Sequence, residues 1–567
     1  MTRFRIRRRL LRLIGRKRRS EIYPDEIFLD SQNIPEFDRS QLEGRIEKPI
    51  EKRAIHALMT LVLIAGVVFS GRLAYLQVVY GVTYDDRSEN NRLKHSIIFA
   101  DRGIIYDREG VEIAWNEPNS DGAFSLRKYT EFPGLAHVIG YVTYPKKDSA
   151  GNYYEADFQP KDGVEKTFNE ALGGTPGVKI VETDAKNAPR SESVLQLPRS
   201  GKNLTLSIDA EMNSAIFGLI SEVANRVGFV GGAGALMDVR SGELVALTSF
   251  PEYNPNIMAS GSPIATIERY LTDSRKVFLD RATIGLYTPG SIIKPFIAVG
   301  ALTEGIISPG KQILSTGQIS IPNPYDETKE STFKDWKAHG YVDMRHALAV
   351  SSDVYFYEVG GGYEDQKGLG IAGIEEYMRL FGFGSPTGIW NGEGEGTIPS
   401  PLWKATAFPE DPTWRIGDTY HSAIGQYGFQ VTLIQVVRAA AALGNGGTLI
   451  TPTILAEDVG NSKNLSISPE ILKVIREGMR LGVLEGTAST LNFPEIHIAA
   501  KTGTAELGVS KEHVNSWVMG FFPYENPRYA FAITMERGRS GNLVGASAVA
   551  RSFFEWLYAN RPEIVKP

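Results

Sequence analysis

The chain contains no cysteine among its 567 residues. That excludes thiol nucleophiles, disulfide frameworks, cysteine-rich zinc sites and iron–sulfur clusters. Histidine is scarce as well. Its eight copies include no HExxH and no pair spaced three or four apart, so no helix-borne metal site, catalytic metal or other cofactor is expected. Acid is missing from the first twenty residues, "MTRFRIRRRLLRLIGRKRRS", which hold ten basic side chains. The remainder then carries 51 basic against 66 acidic residues. With 42% hydrophobic and 22% charged residues the chain reads as globular, and its length exceeds what one compact core usually holds.

Charge is also absent from "AIHALMTLVLIAGVVFSG", Ala54 to Gly71, and the apolar character resumes after Arg72 in "LAYLQVV". Eighteen helical residues cover about 27 Å, close to a hydrocarbon core of roughly 30 Å. A cleaved signal would start earlier and end in an A-x-A exit, so residues 54–76 are expected to be an uncleaved transmembrane anchor. Basic residues before the span and an acidic bulk after it place residues 1–53 in the cytoplasm and the rest outside the cytoplasmic membrane. The basic tail has little aromatic interleaving, which favours anionic lipid over nucleic acid as its partner. His56 has no ionisable neighbour in the span and reads as an interfacial polar residue.

Beyond the anchor, "SENNRLKHSIIFADRGIIYDREGVEIAWNEP" carries β-branched runs broken by turn signals, and "KDGVEKTFNEALGGTPGVK" reads as a short helix closed by Gly-Gly. Residues 77–200 are therefore expected to form a β-rich, non-catalytic pedestal. A composition shift near Pro198–Gly201 opens a larger domain, 201–567. There "NLTLSIDAEMNSAIFGLISEVANRV" reads as a strand, an aspartate cap and an amphipathic helix, followed by the hairpin "GALMDVRSGELVALTSF". Helices in "SIIKPFIAVGALTEG" and "TLIQVVRAAAALGNGG" precede strands in "HIAAKTGTAE", "VNSWVMGFFP" and "YAFAITME". The expected class is α+β, an antiparallel sheet packed with helices.

The chemistry centres on "LYTPGSIIKPF", where Ser291 and Lys294 stand one helical turn apart at the start of a helix. On one helix face the amine can reach the hydroxyl. A lysine becomes a base near neutral pH only when burial and nearby positive charge lower its pKa, and the helix start offers N–H groups to an oxyanion. The Pro295 ring crowds the Ser291 carbonyl, which predicts a distorted or 3₁₀ first turn. The pair alone carries little specificity, because Ser125, Ser308 and Ser331 also head S-x-x-K. Two later elements single it out: "SSD" at Ser351–Asp353, 60 residues on, and the single "KTGT" at Lys501–Thr504, 150 residues further. S-x-D adds little alone, since Ser31, Ser88, Ser207, Ser462 and Ser540 head similar triplets. Strand alternation would point Lys501 and Gly503 one way, Thr502 and Thr504 the other.

With these three elements in order, the chain resembles a class B penicillin-binding protein from the anchor to the C-terminus. "RGIIYDREG", "DGVEKTFNEALGG", "GELVALTSFPEYNPN", "YTPGSIIKPF", "NGGTLITP", "LEGTAS", "AAKTGTAE" and "SWVMGFFP" are similar to that family's landmarks in family order, and "FKDWKAHGYVDMRHALAVSSDVYFYEVG" resembles the elongation type, penicillin-binding protein 2. The resemblance implies a D,D-transpeptidase that cross-links peptidoglycan stem peptides and takes β-lactams as covalent inhibitors. In it Ser291 would be the acylated nucleophile and Lys294 its base. The N–H groups of Ser291 and Thr504 would form the oxyanion hole, and Ser351 would relay protons with Asp353 holding its hydroxyl. Lys501 with Thr502 would bind the substrate carboxylate beside Gly503. No glycosyltransferase domain is legible, so the resemblance implies a RodA-like glycan polymerase and elongation-complex scaffold proteins as partners. Between Ala114 and Gly140 the chain has only about twenty residues where the family commonly carries a larger head, so the pedestal is expected to be reduced.

Other readings are weighed against this one. "GIISPGKQ" misses the P-loop at Gln312, "GLGIAG" lacks a strand ahead of it, and "GRSGN" misses the hydrolase elbow at Asn542. They read as a helix exit, an interhelix loop and a strand-to-helix turn. His339 and His346 read as ordinary polar positions. Two rival functions stand beside the transpeptidase: a D,D-carboxypeptidase or β-lactamase-like hydrolase, and a catalytically idle scaffold or β-lactam sensor that regulates a polymerase.

Overall fold

The structure, a computed structural model, describes residues 51–565 apart from 86–92, 121–123, 150–152, 156, 184–188 and 324. The basic tail up to Ile50 and the triplets at Ser31 and Ser88 lie outside the described residues. The chain divides into two units, 1–91 and 92–567. In the first, helix α1 (Lys52–Ala74) continues through a π turn at Tyr75–Val79. Within the 28 residues from Lys52 to Val79, the most apolar 18-residue stretch has a mean hydropathy of 2.1 and buries nothing. At 1.5 Å per residue they reach about 42 Å, enough to cross a bilayer. The His56 ring bonds the Lys52 carbonyl one turn back, which leaves no call for an ionisable partner.

The second unit begins with two small sheets. One joins Leu93–Ile98, Gly177–Thr183 and Pro189–Gln196 in antiparallel order. The other joins Ile105–Tyr106, Glu112–Glu117 and Leu126–Tyr129, with Leu204–Thr205 running parallel beside Ile105–Tyr106. Glu117 pairs with Leu126 at the end of that ladder. The buried Glu165 carboxylate holds Arg102 at 2.6 Å and Arg127 at 2.7 Å. Two guanidiniums on one carboxylate offset the desolvation that an unpaired buried charge would incur. Ile105 and Ile113 share one apolar core with Leu206 and Ile208, so the pedestal and the larger domain are packed continuously.

In the larger domain Asp209 caps helix α2 (Ala210–Val227) through the Met212 N–H, and Gly228 ends it in the left-handed region, φ 83°. Five strands form one antiparallel sheet: β1 (Gly231–Asp238), β2 (Leu244–Phe250), β3 (Ala499–Leu507), β4 (His513–Phe522) and β5 (Tyr529–Arg539), in the order β2-β1-β5-β4-β3. β1 and β2 are the expected hairpin, and β3 to β5 are the three late runs. Helix α2 and the C-terminal helix (Ala546–Asn560) cover one face with a core of Ile216, Ile220, Phe531 and Phe554. On the other face Leu433–Gly444 packs through Val436, Ala440 and Leu443 against Met519 and Ala532. Both faces are buried, which is why β1, β2, β4 and β5 read as near-continuous apolar runs rather than alternating ones. β3 is the outer strand, and the pocket described next is built on its free edge.

The competing motifs have local structural roles. Gly305, φ 63°, turns the chain out of the helix that follows Ser291, and Lys311 bonds Gln366. Gly370 opens the helix Gly370–Leu380, and residues 538–542 run from β5 toward the C-terminal helix.

Candidate active site

Ser291 lies in a 3₁₀ turn, Gly290–Ile293, that leads into helix α3 (Lys294–Thr303). Pro295 has no N–H to give the Ser291 carbonyl, which accepts from Lys294 N–H instead, the tighter three-residue pattern. Gly290, φ 57°, is seated between two elements. Its N–H bonds the Gly425 carbonyl at 3.0 Å, and a Cβ there would stand 2.9 Å from the Thr504 carbonyl of β3. Gly503 answers from the strand: a Cβ on it would meet the Pro289 carbonyl at 2.8 Å. The Trp517 indole of β4 donates to the Thr288 carbonyl at 3.0 Å. Small residues thus let the serine turn lie directly on the edge of the sheet, where outer N–H groups of β3 have no partner strand.

Lys294 is fully buried. Its Nζ meets Asp353 Oδ1 at 2.6 Å and the Ser351 carbonyl at 2.8 Å, with Ser351 Oγ at 3.5 Å. The Phe356 ring centroid lies 5.3 Å away. Ser351 ends helix α4 (Met344–Val350) in the left-handed region, φ 59° and ψ 40°, and Ser352 caps helix α5 (Asp353–Gly361). A non-glycine residue at such a φ is a strained position, of the kind that collects at functional sites. The reversal between α4 and α5 brings Ser351 and Asp353 to the lysine together.

From β3, Lys501 Nζ donates to Ser351 Oγ at 2.8 Å and to the Thr502 carbonyl at 2.8 Å. Burial, with the positive Lys294 adding to it, pushes the Lys501 amine well below its usual value, against a smaller upward pull from Asp353. Along β3, Lys501 and Gly503 are buried, Thr502 half-buried and Thr504 exposed, the expected alternation. Lys294, Ser351, Asp353 and Lys501 therefore form one hydrogen-bonded cluster behind the Ser291 turn, with Thr502 to Thr504 along its rim. The pairing differs from expectation in one respect: Asp353 holds Lys294, and the hydroxyl of Ser351 is held by Lys501.

Some participants were not named from the motifs. Thr487 Oγ1 lies 2.6 Å from Thr502 Oγ1, and its N–H bonds the Ala349 carbonyl. Its signal was present in "LEGTAS" but carried no chemistry on its own. The Asp335 carboxylate accepts from Ser352 Oγ at 2.9 Å and Val354 N–H at 3.0 Å, so it pins the start of α5. Gly425 is visible only through its contact with Gly290. Among the described residues no group of three or more His, Asp or Glu side chains is arranged to hold a metal ion.

A sheet edge carrying a serine turn, with helices on both faces, is the architecture of the penicillin binding protein transpeptidase domain, whose family profile matches residues 232–555; the chain belongs to that family. The penicillin-binding protein dimerisation domain matches residues 124–206. Among individual proteins, the chain is 28% identical to the peptidoglycan D,D-transpeptidase MrdA of Acinetobacter baumannii over 92% of its own length and 90% of the relative's. It is 27% identical to MrdA of Haemophilus influenzae, covering 91% and 93%. Among solved structures, penicillin-binding protein 2 (PBP2) of Helicobacter pylori, in complex with MreC, superposes with a TM-score of 0.69 at 25% identity, over 83% of this chain and 99% of that one. PBP2 of Pseudomonas aeruginosa, in complex with WCK 5153, gives 0.65 at 28% identity, over 83% and 98%.

Proposed function

We propose that the chain is a peptidoglycan D,D-transpeptidase of the PBP2 type, cross-linking stem peptides through an acyl-enzyme on Ser291 during cell-wall elongation. Ser291 Oγ attacks the penultimate D-Ala carbonyl carbon and yields its proton to Lys294 Nζ, which acts as the base in its neutral amine form. The oxyanion faces the N–H groups of Ser291 and Thr504 at the free edge of β3. Ser351, hydrogen-bonded to Lys501 and in reach of Lys294, passes a proton to the departing D-Ala amine. The amine of a neighbouring stem peptide then attacks the ester and releases Ser291. Thr502, with Thr487 behind it, and Lys501 receive the substrate carboxylate, and Gly503 leaves room for the substrate backbone against the strand. Asp353 keeps Lys294 in place. The observation that carries this reading is that three segments far apart in the chain close on one buried cluster beside the serine turn.

The same reading gives residues 1–53 to the cytoplasm, 54–76 to the membrane, 77–200 to the pedestal and 201–567 to an external transpeptidase domain. Its support is the basic tail ahead of the span. A RodA-like polymerase and elongation scaffold proteins are the expected partners; the relative from Helicobacter pylori is solved with MreC. Ser291→Ala is expected to end covalent labelling by a fluorescent penicillin, and the mass of the penicillin-modified peptide should place the adduct on Ser291. Labelling that persists in the variant would move the nucleophile elsewhere.

A further inference from the structure

A cavity of about 720 Å³ opens at the far end of α5 from Lys294. Its floor is Gly361 and Gly362, which close the helix, with Gly368 and the Tyr420 ring beside them. The packing leaves no room for side chains there: a Cβ on Gly361 would enter the Tyr420 ring, and one on Gly368 would enter the Gly361 backbone. The Tyr420 hydroxyl donates to the Gly362 carbonyl at 2.7 Å and ties the floor down. A bare backbone of this kind lets a ligand approach closely.

Ile321, Pro322 and Ile416 line this cavity and also a second one of about 490 Å³. His421 and Tyr427 border the second, and Gly425 between them accepts the Gly290 N–H at 3.0 Å. One path therefore leads from the serine turn along the smaller cavity into the larger. Helix α5 sets its scale. Asp353, at one end, holds Lys294 at 2.6 Å, and the nine residues to Gly361 rise roughly 12 Å. A stem peptide, with about three residues between the attacked D-Ala and the glycan, spans roughly 10 Å when extended. Its sugar end then falls at the larger cavity.

The lining there suits an uncharged, amphipathic ring. Glu364 and Lys367 are its only charged side chains, one of each sign, and neither makes a hydrogen bond or ion pair among the described residues. The Tyr363 hydroxyl is likewise without a partner among them. Gln366, by contrast, is spent on Lys311 and on the Ile306 and Lys367 carbonyls. The carboxylate, ammonium and phenol match hydroxyl and acetamido groups, while the Tyr363 ring, Ile416 and the glycine floor match the C–H face of a pyranose.

We infer that the cavity at the end of α5 is a glycan subsite, which holds the N-acetylated amino sugar carrying the donor stem peptide. The inference rests on the transpeptidase reading above. Lys367 donates to the acetamido carbonyl, Glu364 accepts from a ring hydroxyl, and Tyr363 packs on the sugar face. A sugar seated there fixes the register of the peptide behind it, so that stem peptides borne on a strand are selected over free ones.

The test uses the full chain and three synthetic substrates that share one peptide ending in D-Ala-D-Ala. The peptide N-terminus is free, capped by a lactyl group, or joined through that lactyl group to an N-acetylglucosamine–N-acetylmuramic acid disaccharide. D-Ala release reports the donor alone, because D-Ala leaves before the acceptor attacks. It gives kcat/KM for each substrate, with active sites counted by fluorescent penicillin. The disaccharide substrate is expected to exceed the lactyl-capped one by on the order of tenfold, the scale of a hydrogen bond with a charged group. Lys367→Met and Tyr363→Leu should each lower that ratio by about threefold, and the double variant should bring it near one. Because the ratio is internal to one variant, loss of folded protein cancels. Equal kcat/KM for the capped and disaccharide substrates in the parent chain, or the parent's ratio in the double variant, would overturn the subsite alone. Failure to release D-Ala from any of the three while penicillin still labels Ser291 would instead remove the transpeptidase reading and the subsite with it.

Discussion

Gly290 shows how closely one side chain, or its absence, governs this pocket. The residue sits at φ 57° with the Thr504 carbonyl 2.9 Å from where a Cβ would be and the Gly425 carbonyl on its N–H. Gly290→Ala adds a left-handed penalty of roughly 1 kcal/mol and forces the serine turn off β3. A displacement of about 1 Å at reacting groups costs on the order of a hundredfold in rate. The variant should therefore keep its fold by circular dichroism and lose about that factor in the second-order rate of penicillin acylation. Acylation at the parent rate would show that the seat on β3 is dispensable. The motif residues themselves were legible because S-x-x-K and K-T-G are short and their order is specific. Their partners were not. The downward pull on Lys501 depends on burial and on the neighbouring Lys294, neither of which a motif contains.

Among the elements, helices and strands of the larger domain could be read from period and caps. Asp209 before α2 and the apolar runs of β4 and β5 are local signals, and each became the expected element. The α4–α5 reversal was not legible, because its geometry is imposed from a distant hairpin. Asp335, with its side chain wholly buried, accepts from Ser352 Oγ and Val354 N–H and so fixes where α5 begins. Asp335→Ala leaves those donors unmet in the interior, a loss of about 2–4 kcal/mol. It also frees the start of α5 and with it Asp353. The expected outcome is a lower thermal midpoint together with penicillin acylation slowed by on the order of tenfold. Lower stability with acylation unchanged would restrict Asp335 to a purely structural role.

For the body of the molecule, one contact joins the pedestal side to the sheet in a pH-dependent way. Glu252, just beyond β2, accepts the N–H groups of Gly134 at 2.7 Å and Ala136 at 3.0 Å. Burial raises its carboxyl from 4.5 to about 7, in spite of those two bonds. Its folded pKa lies above its unfolded one, so the unfolded chain binds fewer protons between the two values. The stability it contributes is fully present below about 4.5 and is lost as pH rises through about 7. From about pH 5 to about pH 8 the parent chain should lose on the order of 2 kcal/mol more stability than Glu252→Gln, measured by denaturant unfolding. Identical pH slopes would mean that Glu252 is ionised throughout.

Local order along the chain was enough for the anchor, the run of elements and the three motifs, since hydrophobic period, caps and turn chemistry act over a few residues. It could not assign partners inside the pocket. Lys294 meets Asp353 59 positions away and Lys501 meets Ser351 150 positions away. Those pairings and the strain at Ser351 arise only when the folded core brings separate segments within hydrogen-bond reach and excludes water from between them.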